Sequence, residues 1–423
     1  MVNEFMVKNY RNVSVEKTQL GKVNLLIGPN GSGKSNFLKA LGFWAKVVQN
    51  NARRDEGTTA LYETLSQHGW SRMLNFEADS NYIDFSWVFS PEKTREPYEY
   101  KLKLNMERQT NNQLDFFIAS EHLAFAKPIR PQHEVPYNFF TCHDEDAGKG
   151  LFTIGSSERK RISLSVRNNE VAFLQLNELR NTDKDFDESY RNVYAERMND
   201  LLKYLTRFFC FSCSEFDIRQ VKKPVKTSQA SFLAPDACNL ANLLQRWLHE
   251  EFNTSFSEYR QMITPLFGEV HPIDIFIEPI SQTNTSQLVI GVRKQRYLLD
   301  DLSDGTIRAM ILAALLVDRK DRMSVCTIDE PEMNLHPEWQ NRFTDWLLAS
   351  NASQQFFVSS HSPEILDPLT PAFMKNEVKV FVFSDDHSIA ELSPERISDL
   401  YGKGFNLGDL YRAKAIEIGG WPK

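Results

Sequence analysis

The chemistry of this chain is concentrated first in residues 25–36, LLIGPNGSGKSN. Gly28-x-x-x-x-Gly33-Lys34-Ser35 has the make-up of a loop that wraps phosphate. Its glycines let backbone N–H groups turn inward as a concave nest, and a helix starting at the loop adds the positive end of its dipole. Lys34 is placed to reach β- and γ-phosphates, and the Ser35 hydroxyl to take one position on a magnesium ion. The candidate phosphate contacts are Asn30, Gly31, Gly33, Lys34, Ser35 and Asn36.

A loop of this kind needs carboxylates at the end of a neighbouring strand. Residues 323–328 are apolar enough for a buried strand, which ends in Asp329-Glu330. Asp329 is the candidate second magnesium ligand, acting through water. Glu330 is the candidate that orients or deprotonates the attacking water. Two carboxylates capping a buried run argue for function, because an unpaired buried charge is costly. Ser303-Asp304-Gly305, 26 residues ahead of Asp329, puts a donor-rich turn before the apolar run 306–317. Such a helix start exposes amides to an anion, which makes Ser303 and Gly305 candidates, and the same residues would also make an ordinary cap. FFVSSHSPEIL, 356–366, delivers His361 at the end of a buried strand. Ligands bind there in open α/β sheets, and a neutral imidazole can hydrogen-bond a γ-phosphate or a water. Lys34, Glu330 and His361 are thus the candidate catalytic trio.

The elements that must position these residues follow from hydrophobic periodicity. Strands are predicted at 4–7 and 23–27, a helix over 36–48, and a hairpin from 82–89 and 98–104. Helical periodicity covers 192–209 and 240–256. Strands resume at 273–280 and 287–293, and the last third alternates helix (306–317, 338–349) with buried strand (323–328, 355–358, 378–383). Strands alternating with helices beside a phosphate loop imply an α/β sheet domain, with the middle third inserted into it.

Composition sets limits on function. The longest uninterrupted apolar stretch, 310–317, is far short of the ~20 residues that cross a bilayer. No cationic start followed by an apolar run marks export, so a cytoplasmic protein without membrane contact is expected. Five cysteines do not make a disulfide framework. Cys210-x-x-Cys213 is the one close pair and Cys142–His143 the one loose companion for a zinc site, with buried thiols the default. A net charge of -7 argues against a surface that attracts nucleic acid everywhere. Arg159-Lys160-Arg161, Lys222-Lys223 with Lys226, and Arg293-Lys294 with Arg296 read as solvated faces.

Taken in order, these four motifs resemble those of the ABC-type ATPases of the RecF/SMC branch: phosphate loop, LSGGQ-like signature, strand ending in Asp-Glu, and switch histidine. VKNYRNV, 7–13, is similar to an element of that branch in which Arg11 matches a residue near the phosphates. DEPEMNLHP, 329–337, and SSHSPEIL, 359–366, resemble more narrowly the bacterial AAA-type ATPases related to the OLD and RloA proteins. NLGDLYRAKAIEIGG, 406–420, is similar to the tail of stand-alone members. Between the two ends only faint echoes remain, such as Asn239-Leu240-Ala241.

The resemblance implies an α/β ABC-type ATPase fold, a two-lobed mixed sheet with flanking helices, interrupted by a mainly helical insertion. The expected division is an N-terminal ATPase lobe at 1–125, the insertion at 126–270 and a C-terminal ATPase lobe at 271–423. ATP and Mg²⁺ are the implied ligands, and ATP would bridge two protomers in a dimer or higher oligomer. Ser303 and Gly305 of one chain would meet the γ-phosphate held by Lys34 of its neighbour, and Glu330 would drive hydrolysis. The signature departs from the family's Ser-Gly-Gly-Gln by reading Ser-Asp-Gly-Thr, and the family's glutamine loop is unassigned between Gln67 and Gln109.

Three functions compete within that resemblance. A transporter's nucleotide-binding subunit would not place its signature Ser303 269 positions after Lys34 of the phosphate loop. A RecF/SMC-like DNA-repair ATPase acting directly on DNA would want a long heptad pattern or a broad basic face. The third is the regulatory ATPase of an anti-phage complex. OLD-type proteins carry a TOPRIM nuclease after the ATPase, whereas 62 residues follow His361 here, and Asp385-Asp386 lacks an upstream strand bearing Glu. A separately encoded nuclease partner is therefore expected, through which DNA would be reached. Septu-type systems pair such an ATPase with an HNH nuclease and PARIS-type systems with a TOPRIM nuclease, and the HNH arrangement is favoured.

Overall fold

The structure is a computed structural model that describes residues 1–51, 58–69, 72–75, 77–91, 96–108, 114–128, 135–143, 146–154, 160–228, 230–250, 252, 254–280, 282–317, 324–349 and 354–416. Gln109, Arg159, Met323 and 417–420, singled out in the sequence, lie outside the described residues. The chain divides into two compact units. One comprises Met1–Lys22, Pro29–Phe209 and Phe383–Ala390; the other comprises Val23–Gly28, Cys210–Val382 and the described residues from Glu391 onward.

Strands are numbered along the chain as β1 (Val2–Tyr10), β2 (Val13–Gln19), β3 (Val23–Ile27), β4 (Tyr82–Phe89), β5 (Tyr98–Arg108), β6 (Leu114–Phe125), β7 (Asn138–Cys142), β8 (Lys149–Ile154) and β9 (Lys160–Ser165). All but β3 form an eight-stranded antiparallel sheet in the order β2-β1-β4-β5-β6-β7-β8-β9. The expected hairpin is β4–β5, with Phe89 opposite Tyr98. Aromatic residues on one face of this sheet meet the helices Lys34–Leu41 and Phe43–Asn50. Trp44 stacks on Tyr100 at 3.7 Å, Phe43 on Phe85 at 5.0 Å, and Phe37 meets Phe5 edge-on at 5.4 Å. Rings of this size, fully desolvated and paired, dominate the unit's core.

The single helix predicted over 36–48 is two helices that meet at Gly42. Glycine lends a helix interior little support, and the Trp87 indole N–H takes the Leu41 carbonyl at 2.9 Å, satisfying an end that the break exposes. The predicted helix over 192–209 also stops early: Ala195–Thr206 ends before β10 (Phe208–Ser212), where four residues, Phe-Phe-Cys-Phe, suit a pleated strand. Likewise 240–256 holds the helix Leu240–Leu248, and a separate helix starts at Thr254. Strands β6 to β9 carry no strong alternation and were not expected from the sequence.

In the second unit, β11 (Val225–Lys226), β12 (Asp274–Ile280), β13 (Thr285–Val292) and β14 (Gln295–Leu298) form a small antiparallel sheet. The larger sheet adds β15 (Val325–Asp329), β16 (Gln355–Ser360), β17 (Val378–Phe383) and β18 (Ile389–Leu392), ordered β10-β15-β16-β3-β17-β18. Its centre, β15-β16-β3-β17, is parallel. Such strands are buried on both faces, which is why VNLLI, VCTID and VKVFVF are nearly continuous apolar runs. Register aligns their C-terminal ends: Asp329 lies opposite Ser359, and Ser360 opposite Ile27. Strand β3 therefore ends at Ile27 level with the ends of β15 and β16, which carry Asp329 and the Ser359–His361 segment.

Candidate active site

In the phosphate loop, Gly31 and Gly33 adopt φ of +82° and +112°, which side chains resist. Gly33 is also crowded: a Cβ there would come within 3.0 Å of the Val13 side chain. Helix Lys34–Leu41 begins directly after it, so its first N–H groups point into the loop. Lys34 is buried, and its ammonium folds back to donate to the Pro29 carbonyl at 2.8 Å. The Ser32 hydroxyl is buried with no hydrogen-bond partner among the described residues. A buried hydroxyl left this way costs about 1–3 kcal/mol. Together with an inward ammonium and positive-φ glycines, it makes a donor set that fits phosphate oxygens. Asn30 is exposed in the loop, and Ser35 and Asn36 are half-buried.

Arg11 is held from several sides. Its backbone sits at φ +53°, its Nη1 donates to Asn36 Oδ1 at 3.1 Å and its Nη2 to the His68 carbonyl at 2.6 Å. Burial, reinforced by Arg11, Lys39 and Lys46, pushes His68 down to about 3. The ring is therefore neutral at ordinary pH, and its Nδ1 meets the Tyr10 hydroxyl at 2.8 Å. Asn12 reaches the Gly31 carbonyl at 3.0 Å and accepts from Asn36 Nδ2 at 2.7 Å. His387, in the turn between β17 and β18, lies 3.2 Å from Asn12 Nδ2 and 3.4 Å from the Ser32 carbonyl.

At the sheet edge of the second unit, the Ser359 hydroxyl donates to Asp329 Oδ1. Glu330 follows at φ +54°, left-handed backbone that costs a non-glycine residue about 1–2 kcal/mol. Its N–H is anchored on Ser359, 3.1 Å from the carbonyl and 3.2 Å from the hydroxyl. Strain retained on a carboxylate at a strand end is characteristic of a site where side-chain direction matters. His361 is anchored next door, its N–H donating to Glu332 Oε1 at 2.8 Å. Asp329, Glu330 and His361 are thus gathered on the ends of two paired strands.

Ser303 is exposed and caps the helix Asp304–Val317, accepting from Thr306 N at 3.1 Å. Gly305 packs against the loop that carries Glu330: a Cβ there would stand 2.7 Å from the Asn334 carbonyl. Asp304, the departure from the family pattern, pairs with Lys222 at 2.9 Å, and that lysine holds its carboxyl below the usual range. Arg308 donates to the Cys213 carbonyl, and burial raises the Cys213 thiol. Of the basic clusters, Lys222, Arg293 and Arg296 are all engaged by carboxylates, Asp304, Glu269 and Glu278.

Within the first unit Arg11, Asn30, Gly31, Gly33, Lys34, Ser35 and Asn36 come together; within the second, Asp329, Glu330 and His361 do, with Gly305 beside the same loop and Ser303 at the head of its helix. Sequence reasoning missed Asn12, Glu332, Asn334 and His387. Of these, only Glu332 left a signal, as the second carboxylate of DEPE. Among the described residues, no helix is long and apolar enough to cross a membrane.

The pattern of the AAA ATPase domain family matches residues 1–366. The chain is 23% identical over 411 residues to a protein of Vibrio cholerae serotype O1 biovar El Tor named retron Vc95 probable ATPase, covering 90% of this chain and 72% of that protein. Among solved structures, an Smc head bound to the C-winged helix domain of ScpA superposes with a TM-score of 0.51 at 13% identity, over 93% of this chain and 99% of that one. That likeness shows the fold alone, the α/β architecture of an Smc head.

Proposed function

The chain belongs to the AAA ATPase domain family and is an ATPase, and from that premise we propose that it is the regulatory subunit of a bacterial anti-phage defence complex. The observation that carries this reading is its likeness, along nearly the whole chain, to the probable ATPase of a retron. The expected division into ATPase lobes at 1–125 and 271–423 around an insertion at 126–270 belongs to the same proposal, as does action in the cytoplasm.

Lys34 and the N–H groups at the head of its helix bind the β- and γ-phosphates of ATP, with the Ser32 hydroxyl and Arg11 beside them. Ser35 and Asp329 are the magnesium ligands; both offer the oxygen donors this ion prefers. The ion supplies, when bound, neutralisation of charge on the phosphate oxygens. Glu330 orients the attacking water and His361 hydrogen-bonds at the reacting centre. Ser303, exposed at its helix start, meets with Gly305 the phosphate held by Lys34 of a second protomer. Lys222 offsets the Asp304 carboxylate that the signature would otherwise present to that phosphate. Hydrolysis then releases the pair, and the assembly state governs a separately encoded nuclease, of HNH rather than TOPRIM type, through which DNA is reached.

Purification of the tagged protein from its native operon tests this. A nuclease in fixed ratio, lost from the Lys34→Ala variant or altered by Glu330→Gln, is the expected result. No companion, with hydrolysis rising on added DNA, would replace the proposal with a DNA-repair ATPase acting directly on DNA.

A further inference from the structure

Three residues beyond Asp329 stands a third carboxylate that the hydrolysis motifs leave without a role. Glu332 lies in the loop after β15, and its side chain is only 6% exposed. Its Oε1 accepts from the Ser360 hydroxyl at 2.9 Å and from the His361 N–H at 2.8 Å, and His361 Nδ1 stands 3.2 Å from the same oxygen. The Ser360 hydroxyl in turn accepts from Ser362 N at 3.0 Å. Oε2 is buried with no hydrogen-bond partner among the described residues. A buried carboxylate with a purely structural task would be expected to engage both oxygens. Here the Ser360 hydroxyl and the His361 N–H share one oxygen, and the imidazole Nδ1 of the same histidine faces it at 3.2 Å.

That arrangement decides the proton on the ring. Oε1 acts as acceptor towards the Ser360 hydroxyl and the His361 N–H, so the nitrogen facing it carries hydrogen. In the neutral ring, Nε2 then bears the lone pair. The His361 side chain is 44% exposed, so that far nitrogen is available outside the anchored loop. A histidine whose Nδ1–H faces a carboxylate presents its other nitrogen as an acceptor to a reacting hydroxyl or water.

We propose that Glu332 is a positioning residue for ATP hydrolysis: it fixes the tautomer and orientation of His361, so that Nε2 accepts a hydrogen bond from the attacking water that Glu330 orients. This deepens the hydrolysis reading and rests on His361 belonging to that site. Glu332 itself touches neither nucleotide nor water.

The test is a double-mutant cycle on magnesium-ATP hydrolysis by the full chain, using Glu332→Ala, His361→Ala and the pair. Each single variant is expected to lower kcat by about 10- to 100-fold while KM moves less than about threefold. The double variant should be no slower than His361→Ala alone. Glu332→Gln, whose carbonyl oxygen can face the same hydroxyl, N–H and imidazole, should stay within about threefold of wild type. Losses that multiply in the double variant, or a Glu332→Gln variant as slow as Glu332→Ala, overturn the proposal alone. A His361→Ala variant at wild-type kcat overturns it together with the assignment of His361 to the site. If Glu332→Ala does not accumulate folded, Glu332→Asp, which withdraws the oxygen by one methylene, runs the same cycle.

Discussion

Gly305→Ala is the substitution whose outcome the structure constrains most tightly. In an ordinary helix the change would stabilise by up to about 1 kcal/mol, since alanine is the better helix former. Here the added Cβ would stand 2.7 Å from the Asn334 carbonyl oxygen, roughly 0.6 Å inside the ~3.3 Å at which carbon and carbonyl oxygen ordinarily meet. Both sides are backbone, and Asn334 already sits at φ +57° in the loop that carries Glu330. Overpacking of this kind costs about 1–3 kcal/mol, so the propensity gain is outweighed and the net loss is about 1 kcal/mol. For a unit of this size that corresponds to a fall in Tm of about 2–4 °C, measured without nucleotide so that no second protomer contributes. Because relief of the clash moves the Glu330 loop, kcat should fall by about 10- to 100-fold with ATP affinity little changed. A nucleotide-free Tm that is unchanged or raised would refute the reasoning, because it would mean that the signature turn and the Glu330 loop are not in contact within one chain.

Other perturbations separate the remaining parts of the site. Glu330→Gln should lower kcat by about 10²- to 10⁴-fold and leave ATP binding intact, read by filter binding against single-turnover hydrolysis; retained turnover would remove Glu330 from the mechanism. His387→Ala should weaken ATP binding several-fold through slackening of Asn12 and the phosphate loop, with kcat nearly unchanged, since one neutral hydrogen bond contributes about 1 kcal/mol; calorimetric titration reads it, and unaltered affinity would count against the contact. Stability should fall as pH rises through the Glu121 transition. Burial pushes this carboxyl from 4.5 up to about 7, against the Ala172 and Phe173 N–H groups and the Tyr100 hydroxyl that favour its charged form. Its folded pKa is the raised one, so the contribution is present in full below pH 4.5 and lost by about pH 7, on the order of 3 kcal/mol. Urea midpoints at pH 5 and pH 8 should differ less in Glu121→Gln than in wild type, and equal differences would refute the assignment.

Legibility in the sequence followed the range of each interaction. The phosphate loop was readable because glycine spacing, a lysine and a serine act within eight residues of one another, and the buried parallel strands because two covered faces demand continuous apolar runs. Helix ends were read less well. Gly42 splits the first helix because Trp87, 46 residues along the chain from Leu41, takes the carbonyl that the break exposes, and nothing local announces that partner. The late strands of the large antiparallel sheet escaped for a related reason: a strand whose side chains fit both a sheet and solvent is defined by the neighbour it pairs with.

By itself, then, the sequence determined that the chain handles nucleotide phosphate, that Lys34 belongs to a phosphate loop and Asp329, Glu330 and His361 to the ends of strands, and that an α/β sheet carries them. Tertiary structure alone decided what each polar group meets. Register between β15 and β16 sets Ser359 opposite Asp329, the loop beyond brings Glu332 onto His361, and a turn 355 residues away delivers His387 to the Ser32 carbonyl. The physical reason is that propensity and hydrophobic period are properties of a short segment, whereas a buried donor or acceptor is satisfied by whatever the packed chain places within hydrogen-bond distance of it.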